Sequence, residues 1–290
     1  MTLPRMSIVT PSYNQAAFLE ETILSVFAQD YPDLEYLVLD GGSDDGSIDI
    51  IKSHEERISF WVSEPDRGQS HAINKGFRMA TGEILGWLNS DDTYLPGCLR
   101  AVGEFFAANT EVKVAYGNFV YVDEEGRTLR QRHLPRRLSY TKLLFHDYLG
   151  QPAVFFRKEV LDRVGYLDEC LRYSMDWDLF LRMRWQYDMA HINRNLATYR
   201  LHTKSKTSKE GDATYSEHLR AIFRKNKKPR FSNRALDELY YRLYRTYSYL
   251  QRTAAVVRDN PMDYLRVYRT SSSLRVGDLW RFISWRLRHG

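Results

Sequence analysis

Ile84-Leu85-Gly86-Trp87-Leu88-Asn89-Ser90-Asp91-Asp92 decides how the chain folds. Its apolar half has the length and character of a strand buried on both faces, and such strands belong to parallel sheets. The run ends abruptly in two adjacent carboxylates. Ionised neighbours repel each other and cost desolvation energy unless a cation lies between them, so the pair reads as functional and not as stabilising. Ligands bind at the carboxyl ends of strands in open α/β sheets. A hard divalent cation held by oxygen ligands suits a phosphate-bearing ligand there. The competing reading is a helix-capping pair ahead of Pro96.

Upstream, strands and helices alternate. Met6–Thr10 is a short apolar strand stopped by Pro11, and Leu19, Ile23, Val26 and Phe27 place a helix over 16–28. Glu35–Leu39 is the next strand, followed by Asp40 and a Gly/Asp/Ser loop, a helix over 48–56, a strand at Ser59–Val62 and a helix over Gln69–Thr81. This alternation predicts parallel pairing, with helices on both faces and right-handed crossovers. Four loops after strand ends, Thr10–Gln15, Asp40–Asp45, Glu64–Gln69 and Asn89–Asp92, are expected to line one rim.

Downstream the pattern changes. A helix is expected at Leu99–Phe106, strands at Val112–Tyr116 and Phe119–Val122, then a turn at 123–126 and a polar strand. Ala153–Phe156 is β-prone, Glu159–Val164 and Met175–Tyr187 read as helices, and Leu201–Thr214 reads as a mobile loop. Helices are expected again from Ala235, with Pro261 between them.

A composition of 43% hydrophobic and 27% charged residues is that of a soluble globular protein. Two cysteines form neither a metal pattern nor a disulfide framework, which fits a reducing compartment. Met1–Ile8 has no apolar core of a signal peptide, and no run is apolar and long enough to span a membrane, so a cytoplasmic location is expected. The net charge of +5 divides unevenly: 25 basic and 31 acidic residues up to Thr214, against 17 and 6 from Tyr215. A basic extension on an acidic body suits an anionic surface, with a solvated helical face as the alternative.

Three further groups stand out. Asp40-Gly41-Gly42-Ser43 combines a carboxylate, which can accept from a base or ribose, with glycines that permit close approach; a plain turn explains it equally well. The G-x-G-x-x-G and P-loop spacings are absent. Asp176 in Ser174-Met175-Asp176-Trp177 suits a general base with Trp177 as a sugar platform, although spacing alone favours an N-cap and a core tryptophan. His202 in Tyr199-Arg200-Leu201-His202 is a candidate metal ligand, although a lone histidine is more often structural.

Taken in order, Thr10-Pro11-Ser12-Tyr13-Asn14, Asp40–Ser47, Asn74-Lys75-Gly76 with Ala80–Glu83, Leu88–Asp92, Met175–Leu179 and Tyr199–His202 resemble glycosyltransferase family 2, the inverting nucleotide-sugar transferases of GT-A fold. The resemblance covers about residues 5–205. It implies an α/β fold, Rossmann-like, with a mostly parallel central sheet flanked by helices and a C-terminal helical extension. The catalytic domain would span 1–214, with a nucleotide-sugar half at about 1–110 and an acceptor half at about 111–214, and the extension 215–290. Pro11, Tyr13 and Asp40 would hold the nucleobase and Arg67 the phosphate. Asn89-Ser90-Asp91 occupies the family's D-x-D; Asp91 would bind Mg²⁺ or Mn²⁺, and His202 would complete the metal site. Asp176 matches the catalytic base. Asn89 departs from the first Asp of D-x-D, and Met175 stands where many members carry Glu. The implied partners are a nucleotide-sugar donor, by family habit a UDP-sugar, and a glycan or lipid-linked acceptor in polysaccharide biosynthesis at the cell envelope.

Two other functions compete. A sugar nucleotidyltransferase suits the sheet order but lacks a Gly-rich, Lys/Arg-bearing turn after the first strand. A non-enzymatic module docking on membrane or nucleic acid would use the basic extension. Within it, Trp280, Phe282, Ile283 and Trp285 beside Arg281, Arg286 and Arg288 suit peripheral binding to an anionic inner membrane face; no nucleic-acid partner is expected.

Overall fold

A computed structural model describes residues 2–145 and 147–203, so the extension 215–290 and the helices expected from Ala235 lie outside the described residues. The first half runs β1 (Met6–Ser12), α1 (Ala16–Phe27), β2 (Leu34–Asp40), α2 (Ser47–Ser53), β3 (Phe60–Ser63), α3 (Gln69–Met79), β4 (Ile84–Trp87) and α4 (Cys98–Ala108). The second runs β5 (Val114–Val122), β6 (Thr128–Arg132), α5 (Tyr140–Phe145), β7 (Val154–Arg157), α6 (Val160–Val164), α7 (Met175–Gln186) and β8 (Met189–Arg200).

One sheet takes the order β3-β2-β1-β4-β7-β5-β6, with β8 also on β5. The first four strands are parallel, as their alternation with helices predicts. β7 lies antiparallel between β4 and β5. β5 carries β7 and then β6 along one edge, and β8, in parallel, along the other. The result is the expected α/β architecture: a mixed, mostly parallel sheet flanked by helices.

Local differences from the sequence reading have physical reasons. Pro11 does not stop β1. Ser12 O accepts from Gly41 N on the β2 side and Val9 O from Leu88 N on the β4 side. Pro11 shares the parity of Val9, so its nitrogen faces the β4 side beyond the last pair, Val9–Trp87, where no ladder bond is lost. Gly117 does not split β5, because Leu196 packs where a side chain would project. The helix expected over 48–56 ends at Ser53 and gives way to a 3₁₀ turn at Glu55–Arg57. β8, twelve residues long, was not anticipated. Its register shifts opposite Gly117 and Asn118, which breaks the period-two signal. The short α5 was missed as well.

The core centres on Trp87, fully buried. Phe77 of α3 meets its ring edge-on at 5.7 Å, and Phe180 of α7 stacks at 6.0 Å. Both halves of the chain therefore pack on the strand that ends at Asn89. A second tie is Glu35 on β2, which accepts from Ser7 Oγ at 2.5 Å and from Thr81 N and Oγ1, each at 2.7 Å. Burial works against its charge, yet these donors hold its carboxyl below the usual range.

Gly76 marks the closest approach of α3 to the sheet. A Cβ there would lie 2.5 Å from Val9 Cγ1 and 3.0 Å from Leu39 Cδ2. Gly76→Ala is expected to destabilise by about 1–3 kcal/mol through overpacking, read as a lower denaturant midpoint with an unchanged slope.

Candidate active site

The four rim loops converge. Asn14 N donates to Ser43 Oγ at 2.8 Å, and Asp44 N returns to Asn14 Oδ1 at 3.0 Å. Asn14 takes φ 52°, a left-handed conformation that asparagine tolerates. Glu64 N donates to Asp40 O at 3.0 Å, and Gln69 Nε2 to Asn89 Oδ1 at 2.8 Å. Each strand end is thus bonded to the next around the rim.

Asp40 organises its own loop. Its Oδ2 accepts from Gly42 N, Ser43 N and Ser63 Oγ at 2.7–3.0 Å, while Oδ1 accepts only from Ser43 Oγ at 2.6 Å. Acceptor capacity toward a ligand is left on Oδ1 alone. Beside it, Tyr13 is 62% exposed, a ring free to stack, whereas Pro11 is buried in β1. A side chain at Gly41 would meet Tyr13 and Asp66, so the glycine lets these two crowd the same corner. Asp66, overlooked in the sequence, already accepts from Gly68 N at 2.6 Å. Arg67 is exposed and ion-paired with Glu169 at 2.7 Å; Asn74 holds Glu169 in turn at 3.0 Å.

The two carboxylates after β4 have opposite roles. Asp91 Oδ2 lies 3.1 Å from His202 Nε2. Asp92 is buried and accepts from Arg200 N at 2.8 Å. Burial, reinforced by the charge of Asp91, raises its carboxyl well above the usual range, although the Arg200 N–H and the Asn89 side chain oppose this. Asp92 is therefore structural, which corrects the expectation that the pair as a whole is functional. Nor does the pair cap a helix, since α4 begins only at Cys98. Asn89 is explained in the same way. Its amide accepts from Gln69 and also bonds Asp92, whereas an aspartate there would set a second carboxylate against a buried one. Ser90 is buried between them.

Arg200, given no role from sequence, closes this corner. Its side chain is 2% exposed and reaches Asp91 O at 2.9 Å, Glu124 O at 2.8 Å and Glu21 Oε2 at 2.5 Å. His202 packs on Phe18 at 4.7 Å, and its Nδ1 has no hydrogen-bond partner among the described residues. A proton on Nε2, facing Asp91, satisfies this arrangement. Ligation through Nε2 requires that proton to move to Nδ1. The Asp91–His202 separation is close to the roughly 3 Å expected between neighbouring ligands of an octahedral ion with bonds of about 2.1 Å. The two residues thus fit a divalent cation as two of its ligands. Among the described residues no group of three or more His, Cys, Asp or Glu side chains is placed to hold a metal ion.

Asp176 lies in the first turn of α7, half-buried, inside the helix that follows Ser174; it is not the N-cap. Trp177 is buried, and its Nε1 donates to Leu143 O at 2.7 Å. It is a core residue and presents no platform to a sugar. A second carboxylate missed from the sequence, Asp147, faces Asp176. Its Oδ1 is sealed from solvent without a hydrogen-bond partner. Burial, and then the charge of Asp176, raise its carboxyl well above the usual range. Of the two, Asp147 is the one whose surroundings favour the neutral carboxyl.

A carboxyl raised on folding opposes stability once pH passes its unfolded value of about 4. Asp147→Asn, uncharged throughout, is expected to gain thermal stability relative to the parent as pH rises from about 4 to about 7. The check is the thermal midpoint of both proteins across that range; a constant offset contradicts the assignment.

No helix among the described residues is long and apolar enough to cross a membrane. Comparison with known proteins gives consistent results. The family model described as Glycosyl transferase family 2 matches residues 7–165, just over half of the chain. The putative teichuronic acid biosynthesis glycosyltransferase TuaG of Bacillus subtilis is 28% identical over 215 residues, 72% of this chain and 84% of that protein. An uncharacterized glycosyltransferase of Rickettsia typhi is 27% identical over 186 residues, 62% of this chain. The match spans only 58% of that relative's length. Among solved structures, S. aureus TarS 1–349 in complex with UDP-GlcNAc superposes with a TM-score of 0.64 at 18% identity, covering 75% of this chain and 65% of TarS 1–349. The mannosyltransferase PcManGT from Pyrobaculum calidifontis, in complex with GDP-Man and Mn²⁺, gives 0.62 at 20% identity, covering 100% and 82%. At these identities the structural likeness speaks for the fold.

Proposed function

Because the chain belongs to glycosyl transferase family 2, we propose that it moves a sugar from a nucleotide-diphosphate sugar to an acceptor hydroxyl with inversion at the anomeric carbon. The donor is read as a UDP-sugar and the acceptor as a glycan or lipid-linked glycan of the cell envelope. The relative named for teichuronic acid biosynthesis supports a polysaccharide product. The nucleotide-sugar half is assigned to about 1–110 and the acceptor half to about 111–214. The observation that carries the reading is Asp91 against His202 at 3.1 Å, at the end of β4 and on the rim where the four loops meet.

Each residue has a task. Tyr13 stacks on the base while Asp40 accepts a ring N–H through Oδ1. Pro11 shapes the loop beneath them. Arg67 reaches the diphosphate after leaving Glu169. Asp91 and His202 would hold Mg²⁺ or Mn²⁺, which would supply Lewis-acid neutralisation of the leaving diphosphate. Asn89 and Ser90 support Asp91 through the strand end. Asp176 takes the proton of the attacking hydroxyl on the face opposite the departing diphosphate. Beside it, Asp147 sits where burial favours the neutral carboxyl.

Screening nucleotide sugars by thermal shift with and without Mn²⁺ is expected to find one UDP-sugar that stabilises the protein only when the ion is present. Asp176→Asn should lower kcat by on the order of 10²–10⁴-fold while leaving that shift intact. Unchanged turnover would remove Asp176 as the base.

A further inference from the structure

The segment from Arg127 to Leu138 holds five arginines and no carboxylate. Arg127 is neutralised by Asp123 and Glu125, each at 2.7 Å. Arg130, Arg132, Arg136 and Arg137 have no carboxylate partner among the described residues. All but Arg132, which is half-buried, are exposed. β6 closes the sheet, so its outer edge is unpaired among the described residues. Arg130 pairs with Tyr121 across β5 and β6 and stacks on its ring at 4.4 Å; Arg132 pairs with Phe119. The two arginines are two positions apart on one strand and share a face with Phe119 and Tyr121. Tyr199 of β8 lies 5.6 Å from Tyr121 and 6.3 Å from Phe119, extending that face as an aromatic row.

This face runs toward the chemistry. A side chain at Gly150 would strike Phe119, so the Gly150–Ala153 turn packs directly on it. From that turn Gln151 Nε2 donates to Trp87 O at 2.7 Å, two residues before Asn89. β7 pairs with β4 through Ile84–Arg157 and Leu85–Phe156, so the turn that leads into β7 lies at the end of β4. The arginine–tyrosine face thus adjoins the end of β4 from the side opposite the nucleotide loops.

We infer that this face binds the acceptor, and that the acceptor is a glycan chain carrying carboxylates. A guanidinium stacked on a ring keeps its edge free, and a planar carboxylate meets that edge with two parallel hydrogen bonds. Flanking tyrosines offer flat apolar faces to pyranose rings. A neutral acceptor would leave Arg130 and Arg132 unmatched. A membrane surface has no use for the aromatic row, which lies against the sheet and not at its tip. The inference rests on the assignment of the second half of the chain to the acceptor.

The test is calorimetric titration of the full chain with an oligogalacturonate, a neutral dextran oligomer of equal length and phosphatidylglycerol vesicles. The basic run from Tyr215 onward is common to every variant and cancels in the comparison. Oligogalacturonate is expected to bind and dextran not. Arg130→Gln with Arg132→Gln should weaken binding about tenfold while the nucleotide-sugar thermal shift is retained. Arg130→Gln alone, at an exposed position of β6, provides a second variant; it should weaken binding as well, and it decides the matter if the double variant fails to fold. Parental affinity in a folded variant, equal binding of dextran, or binding of vesicles without binding of oligogalacturonate would overturn the inference. Loss of the nucleotide-sugar shift in the parent, with uronate binding intact, would instead support this surface and overturn the donor assignment.

Discussion

The candidate active site depends on one buried clamp, Arg200 against Asp92. The Arg200 N–H reaches the Asp92 carboxyl at 2.8 Å, and its guanidinium reaches Asp91 O at 2.9 Å. β8 ends at Arg200, and β4 ends at Trp87, four residues before Asp91 and five before Asp92. The clamp therefore fastens two strands that are not neighbours in the sheet. His202 follows two residues later and has little freedom but to face Asp91. Losing one of these bonds costs about 1–3 kcal/mol, because a buried polar group is left unsatisfied. The same bonds that stabilise the fold therefore set the spacing of the proposed ligands.

Around that clamp, charge is managed by neutral neighbours. Asn89 bonds Asp92 with an amide where a third carboxylate would add repulsion. Asp147, facing Asp176, is the member whose carboxyl is raised by burial. In both places two carboxyl groups lie close, and burial favours the neutral form of one of them. Asp91 and Asp176 are the other members of these pairs, and they are the two that the proposed chemistry requires. The fold thus tells apart residues that the sequence presents as equals.

Legibility varied with the range of the interactions involved. The first four strands could be read because each is a local run of buried residues followed by a helix with its own apolar face. Asp91, Asp176 and His202 stood out through their motifs. β8 could not be read, since its pairing with β5 lies across about 75 residues and a bulge erases its alternation. Asp147 and Arg200 carry no local signal either; each acquires its role from a partner distant in the chain. Trp177 misled because a tryptophan beside a candidate base suits a sugar platform and a core equally, and only its bond to Leu143 O decides between them.

By itself the sequence determined the alternation of elements, the parallel half of the sheet and the loops in which chemistry is placed. These follow from periodicity and turn residues, which act over a few positions. Only the tertiary structure decided which carboxylate is structural and which is available, that Arg67 is held by Glu169, and that an arginine-lined edge adjoins the end of β4. Those outcomes turn on burial and on neighbours brought together by the sheet, and no local pattern encodes them.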